Sequence, residues 1–256
     1  MSNRIQKAVR EFLGKPESVY KIPGIILFGL PGAGKGTYGK ELAKDFKLFK
    51  LAPGDLIRSM LKDPSRNDQP IAKHIRSLVD GGKLVSDEVV MDMVIQEYES
   101  KGRQFRGVIF DGIPRTLAQV RLLQEHFDLS QFSLINVILR EDILVEKLAG
   151  RRVCDKCGRN YNVCSIQKDG YQMDPLLSKK GDKCEDCDGN LAERNDDKAE
   201  IIRERLEVYK KETLPVMDEL IKVTSRRLDF EPRRGVKDYP LLRRQIERFG
   251  EPSKVN

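Results

Sequence analysis

Gly29-Leu30-Pro31-Gly32-Ala33-Gly34-Lys35-Gly36-Thr37 decides how this chain folds. Just before it, Ile25-Ile26-Leu27-Phe28 is an unbroken apolar run, as expected of a strand buried on both faces of a parallel sheet. Just after it, a helical pattern runs from about Lys35 to Asp45. A strand, a glycine-rich turn and a helix in that order make a cradle for phosphate. Glycines let backbone N–H groups converge on phosphate oxygens with no side chain in the way. The helix N-terminus adds partial positive charge. Lys35 brings a full charge toward the β and γ phosphates, and Thr37 a hydroxyl toward the accompanying metal. The general form of such a loop has Ser or Thr directly after the lysine; here Gly36 intervenes. These residues imply a nucleoside triphosphate site and leave the reaction open.

The rest of the chain alternates the same two patterns. Phe46 to Leu51 reads as a second strand, and Val108-Ile109-Phe110 and Leu134 to Leu139 as two more. Helical stretches cover Leu56 to Leu61, Ile71 to Val79, Asp87 to Tyr98 and Leu117 to Glu125, the first two separated by the turn-rich residues Asp63 to Asp68. After Gly150 the composition shifts to cysteines, glycines and charges until Asp197. A helical pattern resumes from Lys198 to Leu220, followed by a strand at Arg226 to Phe230 and a helix at Leu241 to Phe249. Strands alternating with helices imply an α/β fold with a central parallel sheet. There are no internal repeats.

The 256 residues suit one domain with insertions. The 39% hydrophobic and 34% charged residues describe a soluble globular protein, and no apolar run approaches the ~20 residues of a membrane span. The net charge of +7 points to a polyanionic ligand, either nucleic acid or nucleotide phosphates. No aromatic residues interleave Lys179, Lys180 and Lys183 as a single-strand platform would require, so nucleic acid is not expected as a partner. In residues 1–20, Ile5, Val9, Phe12 and Leu13 share one helical face, with Arg4, Lys7 and Arg10 elsewhere. An extra N-terminal helix is expected there, a mitochondrial presequence being the alternative; Ser2 excludes N-myristoylation.

Cys154-x-x-Cys157 and Cys184-x-x-Cys187 bracket 26 residues. With no secretory signal, a disulfide framework is not expected. Two such pairs offer four thiolates in the tetrahedral arrangement of structural zinc, with no open position for water. Metal-free reduced thiols or a redox pair are the alternatives. Cys164 falls outside the pattern, and His74 and His126 belong to no metal constellation.

Gly-x-x-Gly-x-Gly-Lys-Gly-Thr resembles the loop of the adenylate kinase family, and further segments follow in that family's order. Pro53-Gly54-Asp55-Leu56-Ile57-Arg58 is similar to its Thr-Gly-Asp-x-x-Arg, and Gly82-Lys83-Leu84-Val85-Ser86-Asp87 to its Gly-x-Leu-Val-x-Asp stretch. Asp111-Gly112-Ile113-Pro114-Arg115-Thr116, with Gln119 beyond, resembles its Asp-Gly-Phe-Pro-Arg-Thr. Gly150-Arg151-Arg152, Arg194-Asn195-Asp196-Asp197, Arg203 and Arg205 resemble the arms around its lid. The match runs from about Ile25 to Arg205. The longer spacing between the cysteine pairs places an extra loop within Ser165 to Lys183.

The resemblance implies a three-layer P-loop core (21–51, 86–149 and 198–256), an AMP-binding arm (52–85), a zinc lid (150–197) and an N-terminal extension (1–20). It implies reversible transfer of the terminal phosphate of Mg-ATP to AMP, giving two ADP, with GTP as the alternative donor and a catalytically silent relative as the other alternative. By the same resemblance Gly32, Ala33, Gly34, Lys35, Gly36, Thr37, Arg151 and Tyr161 bind ATP. Pro53, Arg58, Lys83, Leu84, Val85, Gly112, Arg115, Gln119, Arg194 and Arg205 bind AMP. Lys35, Asp111, Arg115, Arg151, Arg194 and Arg205 carry the catalysis, Asp111 holding magnesium through its waters. A cytoplasmic monomer is implied, or a mitochondrial one. Three residues depart from the family pattern: Pro53 for a hydroxyl residue, Ile113 for Phe, and Lys147 for an Arg beside the ATP base. They imply an altered base preference or weaker AMP binding.

Overall fold

β1 (Gly24–Phe28) is buried along its whole length. Its neighbours are β3 (Val108–Asp111) and β4 (Phe132–Val137), with β2 (Phe49–Leu51) beyond β3 and β10 (Arg226–Phe230) beyond β4. All four pairings are parallel. This is a computed structural model, and it describes residues 20–62 and 70–250; the expected N-terminal helix and the turn at 63–68 lie outside them.

Alternation along β1 divides the core between two layers. Ile26 and Phe28 pack toward α4 (Asp87–Glu97), α5 (Leu117–His126) and α8 (Val216–Val223). Ile25 and Leu27 pack toward α1 (Lys35–Phe46), α6 (Glu141–Ala149) and α9 (Tyr239–Glu247). Successive strand side chains point to opposite faces, so an all-apolar strand needs helices on both sides. Phe110 and Phe132, on β3 and β4, stack with centroids 5.3 Å apart. Burying such a ring contributes about 1.5–3 kcal/mol. The three-layer α/β fold expected from the sequence is the fold observed.

Several boundaries differ for local reasons. α1 continues through Phe46 and is ended by Lys47 at φ 54°, so β2 is shorter than the sequence suggests. α6 went unread in the sequence: its nine residues bury only Ile143, Leu144 and Leu148, too few to set a clear period. α2 (Pro53–Lys62) begins earlier than its apolar pattern, at Pro53. Proline suits the first helical position, where its fixed φ fits and its missing N–H would have had no helical partner. α3 (Pro70–Asp80) follows. The stretch from Lys198 to Leu220 is broken into α7 (Ala199–Val208), a π turn at Tyr209–Thr213 and the start of α8.

The cysteine-rich segment has its own small sheet of β5 (Arg151–Cys154), β6 (Asn160–Asn162) and β9 (Leu191–Ala192). The extra residues between the cysteine pairs include a hairpin, β7 (Ile166–Lys168) and β8 (Tyr171–Met173). Asp169 and Gly170 turn it at φ 50° and 81°, the two positive angles that a tight type I′ turn needs. Ile166, Tyr171 and Met173 are buried in the same cluster as Tyr38, Phe230 and Leu242. Among the described residues no helix is long and apolar enough to cross a membrane.

Candidate active site

The loop from β1 to α1 lies at the carboxyl edge of the sheet, where open α/β sheets place their ligands. Two of its glycines are demanded by geometry. Gly29 sits at φ 129°, and a Cβ there would lie 2.3 Å from the Val137 carbonyl oxygen. Gly34 caps α1 at φ 102°. Lys35 folds back over its own loop, donating to the carbonyls of Gly29 (2.5 Å) and Leu30 (2.8 Å). Burial lowers its pKa to about 7; Asp111 pulls the other way, and Arg115, Arg205 and Arg151 lower it further.

Asp111 ends β3 with its carboxylate 11% exposed, and Lys50 on β2 donates to it over 3.0 Å. Burial alone would lower the Lys50 pKa, but Asp111 and Asp55 outweigh it and the ammonium is stabilised. Across the cavity, arginines converge from separate elements. Arg151 on β5 makes a bidentate pair with Asp197, and Arg205 on α7 reaches Asp196 at 3.0 Å and Asp197 at 3.2 Å. Arg58 on α2 pairs with Asp55 at 2.6 Å. Arg115 donates from Nε to the Gly112 carbonyl over 2.8 Å. Arg194 has a buried Nε without a partner, and its Nη2 reaches Asn160 at 3.3 Å.

These cations repel one another. Burial and then Arg205 lower the Arg115 pKa to about 10; burial and then Arg151 lower Arg194 to about 9. Guanidiniums otherwise stay protonated far above such values. The carboxylates between them leave an excess of buried positive charge, which a multiply charged anion would neutralise.

One cavity joins these groups, and its two ends differ. Pro53, Lys83, Leu84, Val85 and Gln119 line one end. There the Gln119 amide is fixed: its Oε1 accepts from the Arg115 N–H (2.7 Å) and its Nε2 donates to Asp87 (2.8 Å). Lys147, Asn162, Met173, Gly235 and Val236 line the other end. Burial lowers the Lys147 pKa to about 8.

Of the expected nucleotide-binding and catalytic residues, all but Ala33 line this cavity. The Ala33 side chain is buried in the core and its N–H is held by the Leu30 carbonyl at 3.2 Å. Tyr161 borders the cavity, but its hydroxyl serves the cysteine cluster, donating to Cys184 Sγ at 3.5 Å and accepting from the Glu185 N–H at 3.0 Å. Ile113, through its place in the Asp-Gly-Phe-Pro-Arg-like segment, reads from the sequence as a neighbour of AMP. It is instead 1% exposed in the core, so its exchange for Phe touches packing rather than the ligand.

Comparison with known proteins gives the family. The adenylate kinase family model matches residues 27–224. The chain belongs to the adenylate kinase family. Its members are phosphotransferases whose acceptor is a phosphate group, and so is this protein. It is 35% identical to a GTP:AMP phosphotransferase of Plasmodium falciparum, over 84% of this chain and 92% of that one. It is 36% identical to an adenylate kinase of Thermotoga neapolitana, over 76% and 83% of the two chains. A probable chloroplastic adenylate kinase of Oryza sativa is 37% identical, over 75% and 66%.

In this adenylate kinase family member, the residues the sequence did not reveal are partners rather than ligands. Lys50 and Asn160 hold Asp111 and Arg194 in place, each within a strand and with no spacing to mark it, while Asp87, the acid of the Gly-x-Leu-Val-x-Asp stretch, holds Gln119. The four cysteines were legible. Their sulfurs all lie within 4.8 Å of one another, with Cys154–Cys187 at 3.4 Å and Cys157–Cys184 at 3.6 Å. A tetrahedron with Zn–S bonds of about 2.3 Å has edges of about 3.8 Å, so the set is compatible with zinc.

Proposed function

We propose that this protein transfers the terminal phosphate of Mg-ATP to AMP, reversibly, giving two ADP. The observation that carries this reading is one cavity walled by the phosphate loop, by the Gln119 set and by the Lys147 set, with a cluster of buried cations among its lining residues. The Gln119 end takes AMP, where Arg58 and Arg115 hold its phosphate. The Lys147 end takes ATP, its phosphates lying along Gly32 to Thr37. The AMP phosphate is already an anion, so no general base is needed. The work is to bring two polyanions together and stabilise the charge spread over the migrating group. Lys35, Arg151, Arg194 and Arg205 do this. Magnesium, when bound, supplies further neutralisation of the bridging phosphates. Asp111 and Thr37 are hard oxygen donors that suit it.

The arm of residues 52–85 and the lid of 150–197, apart from its β7–β8 hairpin, close over the core (21–51, 86–149 and 198–256) and exclude water, which would otherwise take the phosphate. We assign a cytoplasmic monomer, with no nucleic acid or membrane partner. GTP is the alternative donor: Lys147 presents an ammonium instead of a planar guanidinium to the base, and the Plasmodium relative is named for GTP:AMP transfer. It has no better support than ATP. The test is transfer from Mg-ATP, and separately Mg-GTP, to AMP, CMP, UMP, GMP and dAMP. Preference for ATP with AMP is expected. Transfer to none of them would overturn the reading.

We also propose that Cys154, Cys157, Cys184 and Cys187 hold a structural zinc ion. Burial raises the Cys184 pKa, but donors from Tyr161 and the backbone of Asp186 outweigh it and bring the thiol down to about 6, favouring a thiolate there, while burial and the three neighbouring cysteines push Cys157 up to about 12. Around the cysteines the only apolar packing among the described residues is Tyr161 and Leu191. Such a segment needs metal-binding energy to stay folded. One zinc per chain is expected by elemental analysis, and chelation should melt this segment before the core. A single thermal transition after chelation, coincident for both regions, would count against it.

A further inference from the structure

The segment between the paired cysteines is tied to the rest of the chain unevenly, and its hairpin packs into the core. β7 and β8 bury Ile166, Tyr171 and Met173 among core side chains, each no more than 4% exposed. Polar contacts hold them there as well. The Tyr171 hydroxyl donates to Glu231 over 2.5 Å, and the Gln172 N–H donates to the Arg233 carbonyl over 2.8 Å. Arg140, on the loop leading into α6, pairs with Asp169 at 2.9 Å; Lys168 pairs with Asp142 at 3.3 Å and with Glu146 on α6. By contrast, the cysteine cluster reaches α1 through an exposed pair, Lys40 with Asp186 at 3.4 Å. Lifting the hairpin would expose large apolar side chains and break the part-buried Tyr171–Glu231 hydrogen bond, whereas lifting the cluster breaks a pair that water replaces readily.

The hairpin also borders the cavity at the end assigned to the donor base. Met173 lines that end, and a Cβ at Gly235 would lie 3.7 Å from both its Cβ and Cγ. The Gly235 carbonyl accepts from the Tyr38 hydroxyl over 2.7 Å, and Lys237 pairs with Asp174. Gly235 and Val236, on the cavity's lip, are thus clamped between α1 and the hairpin.

We propose that the β7–β8 hairpin is a fixed wall of the donor-base pocket, with Met173 as a positioning residue that holds Gly235 and Val236 against the base while the cysteine cluster opens and closes. This rests on the assignment of the Lys147 end to the donor. Loss of the Met173 side chain would loosen that lip without touching the phosphates or the acceptor. The test compares zinc-loaded full-length protein with Met173→Ala and Met173→Leu. For Met173→Ala the donor KM should rise about tenfold, the scale of a lost apolar contact in a pocket. The AMP KM and kcat should hold, and Met173→Leu should restore the donor KM. Equal rises in both KM values, or none, would overturn the proposal.

Hydrogen exchange adds a readout that needs no turnover. Amides of β7 and β8 should be protected like those of β4 with or without a non-hydrolysable ATP analogue, and amides of β6 and β9 should slow only when it is added. Hairpin amides that slow together with β6 and β9 would overturn the fixed wall. If the analogue binds while no acceptor is phosphorylated, the kinase reading fails and the wall is still tested.

Discussion

Lys35→Met is expected to lower phosphoryl transfer about a thousandfold, the scale on which a positioned charge acts on a transferring phosphoryl group. Methionine keeps the length and apolar stem of the side chain and removes its charge. The fold should survive. The substitution gives up two hydrogen bonds to the Gly29 and Leu30 carbonyls, but it also removes an ammonium whose burial already lowers its pKa to about 7. The same value predicts a proton signature. In the free protein at about pH 8 most Lys35 is neutral, because burial and the neighbouring arginines disfavour the charge. Binding of a fully ionised triphosphate reverses the local field and raises the pKa. Donor binding should therefore take up a proton at about pH 8 and little at about pH 6, where the ammonium is already formed. Calorimetry in two buffers of different ionisation enthalpy reads this directly, and Lys35→Met should abolish it. A variant that keeps a normal melting temperature and more than a tenth of the activity would show that Lys35 does not contact the phosphates.

Legibility in the sequence followed the strength of local constraint. β1 and its loop were readable because both faces of the strand are buried and Gly29 and Gly34 occupy backbone angles open to few other residues. The cysteine set was readable because tetrahedral thiolate geometry demands paired, closely spaced ligands. α6 was missed because its amphipathic pattern spans barely two turns. The hairpin reads as a loop from the sequence, although Asp169-Gly170 carries a tight-turn signal. Three-residue strands give too little alternation to show that Ile166, Tyr171 and Met173 face a core about sixty residues away in the chain, at Phe230. Pro53 was read as a lost polar contact, and the structure adds a helix-starting role that local periodicity did not display. Lys50 and Asn160 had no signal at all, since their work is to orient groups that only the folded chain brings near.

Arg194→Ala should separate catalysis from stability more sharply than any other change in the site. Transfer should fall about a thousandfold, as when a cationic contact to the migrating phosphoryl group is withdrawn. The melting temperature should stay level or rise. Arg194 has a buried Nε without a hydrogen-bond partner, and among the described residues no carboxylate lies within ion-pair distance of it. Burial and the charges of Arg151 and Arg58 push its pKa down to about 9, so at neutral pH it is charged against the preference of its surroundings. A fold tolerates such a group when the charge is needed for an incoming anion, and its removal relieves the free protein. Arg151 would not serve for this test. It forms a bidentate pair with Asp197, whose side chain is 3% exposed, and its loss would leave that buried carboxylate with Arg205 alone. If Arg194→Ala lowered the melting temperature by several degrees together with activity, its guanidinium would be a structural strut. If activity stayed near normal, the migrating phosphate would lie elsewhere. Loss of activity with unimpaired stability is the outcome that only a preorganised phosphate contact explains.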